Sequence, residues 1–254
     1  MKNAPRRAAG KHALAVLILT TCTGAALADV IGFRAGAYSW QADYEGEIRA
    51  GGELVDLQDD LGYTDDTANV YFIALEHPIP VLPNVMLQHT QLDSSATARI
   101  DRQFTFDGVT YPVNEVVDSS VDLSHTDLTL YYELLDNWVN LDLGLTIRNF
   151  DNDIELNSAS AGRSTEELAA VLPMLYGAAR FDLPLTGLYV AADGNVIAYD
   201  GNSLFDYRAV LGYETKIGLG VEVGLRNFDL TYEDGDDEAD VSANGVFGSL
   251  FFHF

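Results

Sequence analysis

The stretch that decides the fold is Gly245-Val246-Phe247-Gly248-Ser249-Leu250-Phe251-Phe252-His253-Phe254, at the end of the chain. Apolar and smaller or polar residues alternate along most of it, and four of its last eight residues are Phe. At the edge of a water-soluble sheet, such a strand would pair with strands of other molecules. A closed barrel in a membrane has no free edge, because its last strand pairs with its first. The ending therefore predicts a transmembrane β-barrel.

The start of the chain has the features of a secretory signal peptide. A basic segment with Lys2, Arg6, Arg7 and Lys11 precedes an apolar segment at 13–19, which is too short to span a bilayer. Ala26-Leu27-Ala28 has the small-x-small pattern of a cleavage site. We expect a signal peptide at 1–28 and a single barrel domain at 29–254. Lipoprotein processing at Cys22 is an alternative, which the Thr before the cysteine disfavours. Cys22 is the only cysteine, so the processed chain would have no disulfide and no cysteine nucleophile.

The chain is strongly acidic, with 39 Asp and Glu against 14 Lys and Arg and a formal charge of −25. This balance argues against nucleic acid as a partner, because nucleic-acid binding requires basic patches. The acidic runs at 59–60, 65–66, 151–153 and 234–240 could bind Ca²⁺, or bridge Mg²⁺ to lipopolysaccharide phosphates, since hard cations prefer several carboxylate oxygens. None has the spacing of an EF-hand, and solvated acidic loops are the favoured interpretation. We expect no cofactor beyond weak Ca²⁺ or Mg²⁺ binding there.

Alternation of apolar and polar residues marks the strands. Val139, Leu141, Leu143, Leu145 and Ile147 share one face of a segment whose other face is more polar, a period of two that indicates a strand. Similar segments predict ten strands, at 30–40, 68–77, 84–93, 123–134, 138–150, 172–182, 188–199, 204–215, 219–230 and 242–254. Eight or twelve strands stay open, because 68–77 and 84–93 alternate poorly. A soluble β-sandwich is the remaining alternative fold.

Short and long connections alternate between these segments. The short ones are at 78–83, 135–137, 183–186 and 216–218, and the predicted loops are at 41–67, 94–122, 151–171, 200–203 and 232–241. Antiparallel up-and-down barrels of outer membranes have short periplasmic turns and longer outer loops. Within the second outer loop, Asp107-Gly108 predicts a hairpin over 104–111 that extends the sheet above the membrane. Trp40, Trp138 and Phe150 lie at strand ends, where interfacial aromatic girdles are expected.

Both ends of the chain resemble the small uncharacterised outer-membrane β-barrel proteins of proteobacteria. The resemblance lies in the first strand at 30–40, in Gly51-Gly52 of the first loop and in the ending at 248–254. It implies the Gram-negative outer membrane as the location, with its lipid and lipopolysaccharide as surroundings. It also implies that Phe252 and Phe254 form the signal read by the barrel assembly machinery. We expect the last strand to pair with 30–40, with Val246, Leu250, Phe252 and Phe254 facing lipid. The resemblance implies no activity and no catalytic residue.

The sequence contains residue types that two kinds of barrel enzyme use for catalysis. Omptin-like proteases place acidic pairs and a His at the outer rim, for which Asp59, Asp60, Asp65, Asp66 and His125 are the candidates. Lipid-modifying barrels use a Ser and a His, but Ser124 and His125 are adjacent and point to opposite faces of a strand. A dyad would need His125 with Ser120 or Ser158. The sequence has no nucleophile elbow, P-loop or zinc motif. We therefore predict that the protein is not an enzyme and keep a rim hydrolase as an alternative.

Charged side chains on the inward faces of the strands are the remaining candidates. The predicted lumen network consists of Arg34, Asp142, Arg148, Arg208, Glu222 and Arg226, with Arg180, Glu76, Asp127, Glu133, Asp206 and Glu214 on the same inward faces. Barrels of about eight strands are filled by their own side chains, and ten strands leave little more room. We expect these charges to pair into a plug, which is consistent with a structural or surface-binding role. A narrow pore or small-solute channel lined by the same residues is the alternative.

Overall fold

A computed structural model describes residues 31–79 and 81–254, so the expected signal peptide lies outside the described residues. This part of the chain is all β, and none of it forms a helix long and apolar enough to cross a membrane. The strands are β1 Gly32–Ala50, β2 Val55–Asp56, β3 Asp65–Glu76, β4 Asn84–Gln91, β5 Asp93–Arg99, β6 Phe104–Phe106, β7 Val109–Tyr111, β8 Val116–Asp122, β9 His125–Leu135, β10 Val139–Ser158, β11 Gly162–Asp182, β12 Leu188–Tyr199, β13 Asn202–Glu214, β14 Leu219–Asp234 and β15 Asp237–His253.

Ten of these strands form a closed antiparallel barrel, as predicted. Each of β1, β3, β4 and β9 to β15 pairs with the next in this order, and β15 pairs with β1 to close the ring. At the closure, the Phe33 and Phe254 backbones exchange two hydrogen bonds, with N···O distances of 2.8 and 3.0 Å. The outward facing predicted for four positions of the last strand is confirmed, since Val246, Leu250, Phe252 and Phe254 are all exposed on the outside of the barrel.

An apolar band encircles the outside of the barrel. Outward side chains such as Leu143, Leu145, Val221 and Val223 are exposed, although they would be buried in a water-soluble protein. Short turns connect the strands at one end of this band, which we call the short-turn end. We call the other end the long-strand end. Five strands continue beyond the band there: β1, β10, β11, β14 and β15.

The predicted loop at 151–171 is wrong, because β10 and β11 pair without interruption from Val139↔Phe181 to Ser158↔Gly162. The predicted loops at 41–67 and 232–241 also consist partly of strand. The reason is the change of solvent beyond the apolar band. There the outward face is polar because it meets water, while inward residues such as Ile154 and Leu156 stay buried. Polar composition therefore made strands resemble loops.

The predicted Asp-Gly hairpin forms, with positive φ at Asp107 and Gly108, but it does not extend the barrel sheet. β6 and β7 pair only with each other, and the Asp107 N–H donates to the Ala50 carbonyl at 2.8 Å. The hairpin turns inward because Phe104, Phe106 and Tyr111 bury their rings in the long-strand end of the barrel. The sheet is extended instead by β5 and β8, which pair beside β10.

Two of the three predicted girdle aromatics are also placed differently. Trp40 and Phe150 are buried inside the barrel, whereas Trp138 is 58% exposed at the short-turn end. The alternation explains the error, since Trp40 lies on the same face of β1 as Arg34 and Phe150 on the same face of β10 as Arg148. Both belong to the inward face, whatever their distance from the strand end.

Candidate functional site

Ion pairs fill the lumen in tiers, beginning at the short-turn end. There Arg180 donates to Asp182 at 2.8 Å and to Glu214 at 3.1 Å. The His253 Nδ1 lies 3.0 Å from the same Glu214 carboxylate. Above this tier, Arg34 donates to Glu222 at 2.6 Å, and the Tyr189 hydroxyl donates to Glu222 at 2.6 Å.

The next tier is an Arg208–Asp193 pair in bidentate geometry, with N···O distances of 3.0 and 2.9 Å. Its guanidinium lies 5.1 Å from the centre of the Tyr38 ring. Planar, two-bond contacts of this kind fix both orientation and register of the partners. Because Asp193 is on β12 and Arg208 is on β13, the pair also stabilises the pairing of these two strands.

The central tier crosses the lumen. Arg148 on β10 forms a bidentate pair with Asp127 on β9, at 2.8 and 2.6 Å, and reaches Asp206 on β13 at 2.7 Å. Arg226 on β14 forms a second bidentate pair with Asp206, at 2.9 and 2.7 Å, and donates to the Tyr38 hydroxyl at 2.9 Å. These charged side chains are at most 5% exposed. A buried network with so many charge-assisted bonds holds its members in one arrangement.

The structure brings five of the six predicted network residues into ion pairs: Arg34, Arg148, Arg208, Glu222 and Arg226. Asp142 does not join them. It lies directly opposite Glu133 in the β9–β10 ladder, and its Oδ1 has no hydrogen-bond partner among the described residues. Asp193 and Asp182 were missed, because Asp193 is the single acid of β12 and Asp182 is the last residue of β11. Inward parity with Tyr189 would have placed Asp193 in the lumen.

Little space remains among these tiers. One polar cavity of about 10 Å³ lies between Tyr38, Asp193, Asp206, Arg208 and Arg226. This volume is about that of a single water position. Arg148 and Arg208 each have one buried Nη1 without a partner among the described residues. The lumen in this region resembles a packed polar core more closely than a channel.

An apolar cap covers the central tier at the long-strand end. It is formed by two inward-folded segments, 54–63 and 100–111, and its fully buried side chains include Leu57, Leu61, Phe104 and Phe106. The Tyr111 hydroxyl, 2.8 Å from the Leu156 carbonyl, attaches the second segment to β10. These contacts make the cap a small hydrophobic core within the mouth of the barrel.

Arg102 joins the two segments of the cap. Its Nε donates to Asp60 at 2.9 Å, and its Nη2 donates to the Leu54 carbonyl at 2.6 Å and to the other Asp60 oxygen. The hydrogen bond with Asp60 raises the pKa of the Arg102 guanidinium. Asp60 itself is buried. One cation thus satisfies a carboxylate that folding of the cap removes from water.

The candidate residues of a rim hydrolase do not come together. His125 is buried beneath the cap with its ring near Phe150 and Phe228, and its Nδ1 lies 2.8 Å from the Leu123 carbonyl. The acidic side chain nearest to it in an ion-pair contact is Asp206, at 3.9 Å.

The acidic candidates have other partners or face water. Asp59 is exposed, Asp60 pairs with Arg102, Asp65 accepts from Gln41 at 3.0 Å, and Asp66 accepts from Ser94 at 3.1 Å. The Ser candidates are also engaged elsewhere. The Ser124 Oγ accepts from the Leu92 N–H and the Ser158 Oγ from the Ala161 N–H, and Ser120 pairs with Glu155 and Ser95 across the sheet.

Beyond the apolar band, the outer wall carries carboxylates placed directly opposite one another on neighbouring strands. These register pairs are Asp43↔Asp65, Glu47↔Asp240, Asp93↔Asp122, Asp153↔Glu167 and Glu233↔Glu238. Like charges in directly opposed positions destabilise a sheet. In the part of the chain that the structure describes, no three His, Cys, Asp or Glu residues group closely enough to hold a metal ion.

No family model and no curated protein matches the chain. Among solved structures, the chain is similar to the outer membrane protease OmpT from Escherichia coli, with a TM-score of 0.52 and 9% identity over 91% of this chain and 99% of that one. Another match is the transport unit of the autotransporter AIDA-I from Escherichia coli, with a TM-score of 0.40 and 10% identity over 93% and 92%. The first similarity shows that the chain has the fold of an outer-membrane β-barrel.

Proposed function

We propose that the protein is a closed, non-conducting β-barrel of the Gram-negative outer membrane that presents an acidic β-structure at the cell surface. The observation that carries this proposal is the central tier, in which Arg148 and Arg226 share Asp206 across the lumen beneath the apolar cap. A pore needs a continuous water path, whereas these groups are paired and almost fully buried. The long-strand end would face the outside, as the outer loops of such barrels do.

Secretion and assembly belong to the same proposal. The signal peptide at 1–28 would deliver the chain to the periplasm, and the barrel assembly machinery would recognise Phe252 and Phe254. Outer-membrane lipid would contact the apolar band, and lipopolysaccharide would surround the long-strand end. The proposal includes no catalytic role. His125 is buried under the cap, and the acidic candidates for a hydrolase have other partners or face water.

The expected ligand class at the surface is cationic. Five register pairs of carboxylates oppose each other on the outer wall, and a divalent cation between two strands would relieve their repulsion. Such sites would have few ligands each, so we expect weak Ca²⁺ or Mg²⁺ binding. The same ions could bridge the wall to lipopolysaccharide phosphates.

Planar-bilayer recording of the full refolded protein tests the closed barrel. We expect no single-channel steps, because the buried, paired charges would block a continuous water path. Flotation with vesicles and a β-sheet circular dichroism spectrum would confirm insertion of the same sample. Regular conductance steps from the inserted protein would overturn the proposal in favour of the channel.

Thermal unfolding with and without Ca²⁺ tests the acidic surface. Millimolar Ca²⁺ should raise the Tm and a chelator should reverse the change. Asp153→Asn should reduce this effect because it removes one member of the Asp153↔Glu167 pair on the outer wall. Asp136→Asn is the matched control, since it removes the same charge from a short turn at the other end of the barrel. Equal Ca²⁺ effects in both variants would contradict a role for the opposed carboxylates.

A further inference from the structure

The wall of the barrel is split beyond the apolar band. The β3–β4 ladder ends at Asn69↔Gln91. From there β3 continues along β1 as far as Asp43↔Asp65, whereas β5 continues along β8 from Asp93↔Asp122 to Arg99↔Val116. Within the described residues, β5 is the terminal strand of the sheet and pairs only with β8. We call the opening between 65–68 and β5 the slot.

The hydrogen bonds on either side of β5 show which of its backbone groups face the slot. The Leu123 N–H donates to the Leu92 carbonyl at 2.8 Å, and the Ile100 N–H donates to the Glu115 carbonyl at 3.0 Å. Both bonds follow the β5–β8 register, so the even-numbered residues of β5 are those bonded to β8. In an antiparallel ladder the alternate residues point their N–H and C=O groups away.

The slot-facing groups therefore belong to Asp93, Ser95, Thr97 and Arg99. None of them has a backbone hydrogen bond to any other described residue. Neither Pro nor Lys, which commonly protect the edges of natural sheets, occurs in this strand. The edge is a row of free donors and acceptors with short side chains between them.

The charge around the slot is negative. Asp93 lies at one end of the edge and directly opposite Asp122. Asp65 and Asp66 lie on the facing strand, and the Ser94 Oγ donates to Asp66 at 3.1 Å across the base of the slot. Arg99, at the other end, donates to the Asn114 carbonyl.

We propose that the slot-facing edge of β5 binds an extended peptide segment with basic side chains by β-strand addition. Main-chain hydrogen bonds to the odd-numbered residues would supply the pairing, and basic side chains would meet Asp93 and the acids of β3. This inference rests on the proposed function, because it requires the long-strand end to be accessible at the cell surface.

A second copy in the same membrane does not fit this edge. Symmetric antiparallel pairing of two β5 strands would use a twofold axis perpendicular to the sheet. Because the sheet is the barrel wall, that axis would lie along the membrane plane and would invert the second barrel. A segment of another polypeptide has no such restriction.

Fluorescence anisotropy with three synthetic peptides tests the proposal on the full protein in neutral vesicles. The probes are Lys-Thr-Val-Thr-Val-Thr-Lys, its counterpart with Glu at both ends, and a counterpart with Pro in place of both Val. We expect binding of the Lys peptide alone. Pro cannot donate to a ladder, and Glu would be repelled by the acids at the slot.

Ser95→Pro removes one slot-facing N–H, and Pro is tolerated on the free side of an edge strand. It should weaken binding of the Lys peptide by about tenfold or more, whereas Ser95→Ala, which keeps the N–H, should bind like the wild type. Hydrogen exchange on the wild type provides a readout that needs no variant. The peptide should protect the Ser95 and Thr97 amides and leave the Ala96 amide unchanged.

Equal binding by the Pro peptide, or by Ser95→Pro, would overturn strand addition and indicate simple adhesion to an acidic surface. No binding by any peptide would overturn the inference while leaving the conductance and Ca²⁺ results intact. A dimer of the wild type that Ser95→Pro abolishes would replace the peptide by a second copy.

Discussion

Asp206→Ala should reveal how dry the lumen is. The Asp206 carboxylate accepts three charge-assisted hydrogen bonds, from Arg148 at 2.7 Å and from Arg226 at 2.9 and 2.7 Å. After its removal, Arg148 keeps Asp127. Arg226 loses the one carboxylate partner that it has among the described residues and keeps the Tyr38 hydroxyl. Removing one partner of a buried ion pair typically costs about 3–5 kcal/mol, because the remaining charge stays buried. We expect a loss of that size in the free energy of unfolding.

Trp40 is a suitable reporter for this measurement. The chain has two Trp residues, and Trp40 is buried with its ring 4.7 Å from the Arg226 guanidinium. In a Trp138→Phe background, equilibrium urea unfolding from phospholipid vesicles would follow the Trp40 emission. The matched control is Arg163→Ala, which breaks the Arg163–Glu155 pair. The Arg163 side chain is 61% exposed, so this change should cost about 0–1 kcal/mol.

The size of the difference between the two variants is the decisive result. Water that enters a pore screens ion pairs as it does at a surface, and such pairs contribute little to stability. A loss below about 1 kcal/mol for Asp206→Ala, equal to that of Arg163→Ala, would refute the packed lumen. A large loss accompanied by new conductance steps would identify the central tier as the barrier to ions.

Three further predictions concern the cap and the closure of the barrel. Arg102→Ala should leave the Asp60 carboxylate without its cation and destabilise the cap by about 1–3 kcal/mol, seen as faster amide exchange at Asp60 with exchange in β13 unchanged. Burial raises the pKa of Tyr63 to about 12, above its unfolded value of about 10. The stability that the neutral phenol contributes is therefore intact below pH ~10 and is lost as the pH rises through about 12. Tyr63→Phe should therefore lose less stability than the wild type over this pH range in alkaline unfolding, and identical profiles would contradict the assignment. Deletion of Phe254 removes two backbone hydrogen bonds and a ring contact to Phe33. We therefore expect slower insertion into vesicles and a loss of about 2–4 kcal/mol in the free energy of unfolding. Unchanged insertion kinetics would contradict a role of Phe254 in closing the barrel.

Alternation predicted the ten barrel strands because lipid on one side and a polar lumen on the other impose a period of two. It failed beyond the apolar band, where water replaces lipid and the outward face of β10 becomes Asp151, Asp153 and Glu155. The inward face of β10 remains partly apolar there. The pattern of the inward face alone would therefore have predicted the longer strand. The alternation along β1 also places Trp40 inside the barrel, because Trp40 lies on the same face of the strand as Arg34.

The cap could not be predicted in the same way. It requires that two segments about 45 residues apart fold inward together and that Arg102 meets Asp60. Nothing local in the sequence distinguishes an inward-folded loop from one that extends into solvent, since both contain Gly, Asp and scattered apolar residues. The sequence also does not show which lumen charges pair with one another. Arg148 reaches Asp206 only because β10 and β13 face each other across a ring of ten strands.

The charge of the whole chain links the packed lumen to the acidic exterior. Five Arg residues form ion pairs inside with six carboxylates, which are Asp127, Asp182, Asp193, Asp206, Glu214 and Glu222. The paired lumen is therefore close to neutral, although the chain carries a formal charge of −25. Because the lumen uses half of the basic side chains found after residue 28, few remain to balance the acids outside. An arrangement that closes the barrel thus also concentrates negative charge beyond the apolar band, where the opposed carboxylates and the slot are located.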